Sequence, residues 1–158
     1  MPSLIRDGYV IDTCALIDLW YRYPPVTFAS LWTKIDGLVQ EGRLRCPGQV
    51  LAEIRRRDDE ICEWLEKRKD RVVLREDVVV FNHAQRLVSK HKGLVDYSRT
   101  GPQADPFVIA LAKSLGWTVV TSERTKGIGA VNIPSVCGAE GVAWLDLLRL
   151  FAREGWKL

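Results

Sequence analysis

The stretch Ala104-Asp105-Pro106-Phe107-Val108-Ile109-Ala110-Leu111-Ala112-Lys113-Ser114-Leu115-Gly116-Trp117-Thr118-Val119-Val120-Thr121 decides the fold. Asp before Pro reads as a helix start, with Asp105 as N-cap and Pro106 at the first helical position. The following Phe-Val-Ile-Ala-Leu-Ala run is apolar on every side, so this helix is expected to be buried on more than one face. Gly116 ends it, and residues 117–121 then read as a buried strand.

Working outward, Gly8-Tyr9-Val10-Ile11 is a second β-branched and aromatic run, closed by Asp12. Apolar residues then continue in helical period from Ala15 to Trp20, until Pro24-Pro25 stops the element. Phe28, Leu31, Trp32, Ile35, Leu38 and Val39 give a second helix over 27–40, with Gly42 as its stop. Pro47 opens a helix through Val50, Leu51 and Ile54. Ile61, Trp64 and Leu65 mark another short one, and residues 78–92 read as helix despite a strand-like start. After a Gly-containing loop at 126–129, residues 142–145 read as a third short strand and 147–153 as a closing amphipathic helix. Strands separated by helices pair in parallel. The expected architecture is a three-layer α/β sandwich, helices on both faces of a parallel sheet, forming one domain over residues 1–158.

The composition narrows the class. With 23 Lys+Arg against 20 Asp+Glu, the net charge is +3 over 158 residues, short of a decisive nucleic-acid signature. Hydrophobic residues at 47% and charged residues at 27% exclude a disordered or collagen-like chain. No apolar leader opens the sequence and no run is long enough to span a bilayer, so a cytoplasmic protein without membrane contact is expected. Cys14, Cys46, Cys62 and Cys137 form no C-x-x-C pair and the only histidines are His83 and His91, so a zinc site is not indicated and free thiols are expected.

In open parallel sheets, sites form beyond the carboxyl ends of the strands. That rule selects Asp12 after the first strand and Thr121-Ser122-Glu123 after the second. Asp105 starts a helix running antiparallel to its strand, so it returns to the same edge. Glu53 stands among apolar residues on the helix after Pro47. Each acid has a plain alternative: Asp12 and Asp105 as helix caps, Glu53 as an i, i+4 partner of Arg57, Glu123 as a surface acid beside Arg124. What carries weight is their convergence on one edge. Clustered carboxylates stay ionised together only beside cations, and hard oxygen donors without His or Cys suit Mg²⁺ or Mn²⁺. Such ions activate water and stabilise charge on a phosphate, which implies phosphodiester hydrolysis. No P-loop, no second Asp of a haloacid-dehalogenase motif and no G-x-G-x-x-G accompanies these acids.

Residues 10–17 (Val-Ile-Asp-Thr-Cys-Ala-Leu-Ile), with residues 104–112 and the strand Val119-Val120-Thr121, resemble the PIN-domain ribonucleases, and within them the VapC-like toxins of toxin–antitoxin pairs. The resemblance runs over nearly the whole chain. It implies that Asp12, Glu53, Asp105 and Glu123 bind Mg²⁺ or Mn²⁺ and carry out metal-dependent hydrolysis of RNA. It also implies support from Thr13, Thr121 and Ser122, a cognate antitoxin that masks the site, and a homodimer. Two departures stand out. Cys14 replaces a common Ser, with loss of a polar contact near the metal expected, and Glu123 replaces an Asp, so it is expected to act through water. Arg55-Arg56-Arg57, Lys90-His91-Lys92, Arg99, Arg124 and Lys126 are cations for a phosphate backbone, and Arg124 and Lys126 neighbour the acids. Trp20, Tyr21 and Tyr23 offer stacking surfaces or, more simply, packing. Two other readings stay open: a non-catalytic module of the same fold that binds RNA or protein, and a DNA-directed nuclease.

Overall fold

The computed structural model describes residues 7–158. The opening residues, read above as lacking an apolar leader, lie outside that range except for Asp7. The elements are β1 (Tyr9–Ile11), α1 (Thr13–Arg22), α2 (Ala29–Gln40), β2 (Leu44–Pro47), α3 (Gly48–Arg55), α4 (Glu60–Val72), β3 (Val73–Leu74), α5 (Val78–Lys90), α6 (Asp105–Leu115), β4 (Thr118–Val120), α7 (Ile133–Glu140), β5 (Trp144–Leu145) and α8 (Leu147–Arg153).

All strand pairs are parallel, in the order β3-β2-β1-β4-β5. Tyr9, Val10 and Ile11 of the central strand are all buried, as a strand covered on both faces requires. Helices α1, α3 and α4 contact one another, as α6 does both α5 and α7, and with this strand order the right-handed rule for parallel crossovers assigns α1–α4 to one face and α5–α7 to the other. Helix α6 is enclosed as its composition predicts: Val108, Ile109, Ala110, Leu111 and Ala112 are all buried. Gly116 ends it in the left-handed conformation (φ 68°). Gly8, just before β1, is required for another reason: a Cβ there would meet the Trp117 ring at 2.5 Å. The last helix is tied back to the first strand, with Glu154 accepting from Tyr9 Oη at 2.5 Å and from both terminal nitrogens of Arg43 at 2.8 and 2.9 Å.

Several local expectations need correction. Residues 44–47 form a strand before the third helix starts, and β3 adds a two-residue strand. Helix α4 runs for 13 residues, longer than the short helix expected. The segment before β5 contains α7, begun by a capping box in which Asn132 and Ser135 exchange hydrogen bonds. Asp105 is not the N-cap of α6. Ala104 is, because its carbonyl accepts the first helical bonds, from Phe107 N at 2.9 Å and Val108 N at 3.0 Å.

Candidate active site

The strand order reverses between β1 and β4: the chain steps outward through β2 and β3, then returns to the other side of β1. Crevices at such switch points are where open α/β sheets bind ligands. Asp12 and Thr121 follow these two strands directly. Asp12 is 2% exposed, and each of its oxygens is engaged. Oδ1 accepts from Ala15 N at 2.7 Å and so caps α1, while Oδ2 accepts from Thr121 Oγ1 at 2.5 Å and from Cys14 Sγ at 3.0 Å. One side chain therefore both caps α1 and presents a carboxylate to this edge. Thr121 Oγ1 in turn accepts from Glu123 N at 3.0 Å, which links the two acidic positions through one buried hydroxyl.

The contact expected to be lost at Cys14 is present: the thiol replaces the hydroxyl as a donor to Asp12. Burial and the Asp12 charge push that thiol well above its usual range, so it stays protonated and donating.

Glu53 does not pair with Arg57, whose partner is Asp59 at 2.9 Å. Its Oε1 accepts from Thr13 Oγ1 at 2.8 Å and from Ala104 N at 3.2 Å. Helix α3 is thus pinned to the starts of α1 and α6 by one carboxylate oxygen. Glu123 is half-buried, and its Oε2 accepts from Ile133 N at 2.8 Å at the first turn of α7. Asp105 differs from the other three: among the described residues nothing donates to it. Because no buried side-chain oxygen among the described residues lacks a partner, its carboxylate keeps some contact with solvent although the residue is largely buried.

Electrostatics couple the four. Burial pushes Asp105 up to about 7, helped by the charges of Glu123, Asp12 and Glu53 and opposed by Arg99. Burial pushes Asp12 up to about 6, against the hydrogen bonds from Cys14, Thr121 and Ala15. Glu53 is raised too, again mainly by burial, with Thr13, Ala104 and Arg99 pulling the other way. Burial opposes the charge of all three, and at Asp105 the neighbouring acids add repulsion, so a cation at this edge relieves both. Among the described residues no three His, Cys, Asp or Glu side chains close into a ready-made metal cage. A hydrated Mg²⁺ or Mn²⁺ does not need one, since such ions keep several waters and bind through one or two carboxylates. The donor set fits that class of ion.

Arg124 and Lys126 are exposed on the loop after β4 and Ser122 is half-buried beside them. Arg99, in the sequence only one of several available cations, acts on both Glu53 and Asp105. Only the fold, which brings the loop before α6 over α3, singles it out. Residues 9–158 match the family described as Domain of unknown function (DUF4411). The chain belongs to the DUF4411 family. No curated protein matches the sequence. The fold of this DUF4411 chain is that of solved VapBC proteins. It superposes on VapBC2 from Rickettsia felis, solved with a DNA fragment from their promoter, with a TM-score of 0.55 at 15% identity, covering 87% of this chain and 97% of that one. DNA-bound VapBC from Salmonella typhimurium gives 0.55 at 19% identity, over 89% and 98%. VapBC-1 from nontypeable Haemophilus influenzae gives 0.53 at 18%, over 87% and 96%. The PIN-like α/β architecture read from the motifs is the architecture observed.

Proposed function

We propose that this DUF4411 protein is a metal-dependent ribonuclease, acting as the toxin of a toxin–antitoxin pair. The observation that carries the reading is the placement of four acids from separate parts of the chain around the β1–β4 switch point, with Asp105 open and unpartnered. Asp12, Glu53 and Asp105 would hold Mg²⁺ or Mn²⁺, one or two of them directly and the rest through the ion's own waters, with Glu123 in support. A divalent ion supplies charge at the scissile phosphate and a more acidic water for its attack. The chain's own groups do the positioning. Thr121 and Cys14 orient Asp12, Thr13 and Ala104 N–H orient Glu53, and Arg99, Arg124 and Lys126 offer positive charge to the phosphate backbone. The VapBC assemblies among the structural neighbours support a small antitoxin protein as partner, and a homodimer is the expected state. No helix among the described residues is long and apolar enough to cross a membrane, which suits a protein acting on RNA in the cytoplasm.

The test is RNA cleavage with Mg²⁺ or Mn²⁺, and its loss with excess chelator; full activity in chelator overturns the carboxylate–metal reading. Expression without a partner should slow growth, and Asp12→Asn should relieve it. The engagement of Glu123 by α7 favours one other reading, a PIN-fold module that binds without cleaving. It becomes the better account if wild-type and Asp12→Asn proteins are equally harmless and neither cleaves RNA.

A further inference from the structure

The acids do not stand on a flat edge. Beside Glu123 a cleft of about 490 Å³ opens between α1, the segment after β4 and the corner from β5 into α8. That size falls within the roughly 300–1,000 Å³ of small-ligand pockets. Glu123 belongs both to the acid group and to the cleft wall, so the two are continuous.

The balance of charge in the cleft is decided by commitments. Asp18 is paired with Arg22 at 3.6 Å, and Asp146 Oδ1 is used to cap α8 through Arg149 N at 2.9 Å. Arg124 and Arg149 both line the cleft and are exposed, and neither side chain has an ion-pair or hydrogen-bond partner among the described residues. Trp144, half-buried against the core, and the exposed Leu148 supply an apolar wall. Two uncommitted guanidinium groups beside an apolar wall suit a phosphate flanking a base. Arg99, acting on Glu53 and Asp105, stands on the β2 side, while this cleft lies on the β4–β5 side. A strand crossing the acids would meet positive charge on both flanks.

We infer that the α1–α8 cleft holds the nucleotide next to the scissile phosphate of a single-stranded RNA, with Arg124 and Arg149 on its phosphates and Trp144 and Leu148 against its base. The inference rests on the ribonuclease reading above and adds Arg149, Trp144 and Leu148 to the substrate-binding residues.

The test compares wild type, Arg149→Glu and Arg71→Glu on a single-stranded RNA oligonucleotide in Mn²⁺. Arg71 is an exposed α4 residue near the entry to β3, at the opposite edge of the sheet, and makes the same change of charge. Arg149→Glu should raise KM about tenfold or more with kcat within about twofold, and should lower the salt slope of log kcat/KM by about 0.7 for the lost contact. Arg71→Glu should match wild type. If wild type cleaves RNA and Arg149→Glu is indistinguishable from Arg71→Glu in KM and salt slope, the cleft assignment is overturned and the nuclease reading stands. If wild type cleaves no RNA, both fall together.

Discussion

At the scale of single residues, Asp105 separates chemistry from scaffold. It occupies the first helical position without capping anything, and Asn there keeps the shape while removing the charge. Its folded-state protonation lies near 7 against about 3.9 in an unfolded chain, so its ionisation costs metal-free stability as pH rises between those values. Asp105→Asn should therefore hold or raise metal-free stability at pH 8, by about 1 kcal/mol, one pKa unit's worth. Cleavage should fall by a factor of 100 or so, the order expected when a charge-stabilising group is removed. Thermal melts in chelator beside cleavage rates in Mg²⁺ decide it; an Asp105→Asn protein that melts earlier yet cleaves normally contradicts the assignment. Cys14 offers a milder probe. Ser at that position keeps a donor to Asp12 Oδ2 and should retain most activity, whereas Ala removes the donor and should shift the acid limb of the pH–rate profile upward, because Asp12 loses one of the bonds holding its protonation down.

At the scale of elements, three helices are knotted at the edge opposite the acids. Glu140 at the end of α7 has a side chain only 1% exposed and holds Arg86 at 3.1 Å, Lys90 and Lys113 at 3.0 Å, and His91 Nε2 at 3.0 Å. These partners, His91 foremost, keep its carboxyl well below the usual range. A depressed acid contributes stability that is fully present above the unfolded value of about 4.3 and is lost as pH falls below it. Glu140→Gln should thus cost about 2 kcal/mol at pH 7 and flatten the decline of stability on the acid side, read from denaturant midpoints across pH. The same elements show what a sequence can and cannot announce. β1, α6 and β4 were legible because their apolar runs are unbroken, which only full burial tolerates. β2 was not, since Leu44-Arg45-Cys46-Pro47 mixes a charge and a proline into four residues. Helix α7 is only eight residues long, with Ile133, Val136 and Cys137 as its whole apolar period and a glycine at 138, and the Asn132–Ser135 pattern marks its start. Asp12 was legible from its place after a strand, and Asp105 from its helix start, although as the wrong cap. The Thr13–Glu53 bond joins residues 40 apart in sequence, and the Glu123 contact depends on α7, so neither had a local signal.

At the scale of the molecule, the repulsion stored at the acid edge predicts that Mn²⁺ stabilises the fold. A hundredfold excess over Kd adds about 2.7 kcal/mol, roughly 5–10 °C in Tm for a chain of this size, and Asp12→Asn should lose most of that gain. An equal rise in the Asp12→Asn protein would place the ion elsewhere. The order of the sheet has a further consequence, for synthesis. The last strand to bring an acid to the edge, β4, pairs β1 on the side away from β2, so nothing made before residue 120 can assemble the crevice. At about 5–20 residues per second, the ribosome holds an incomplete and inert chain for roughly 5–20 s between the first acid and the last. A chain ending at residue 100 should therefore be harmless when expressed alone. If the chain is the toxin proposed above, a cell translating this message has that interval in which an antitoxin already present can await the emerging product.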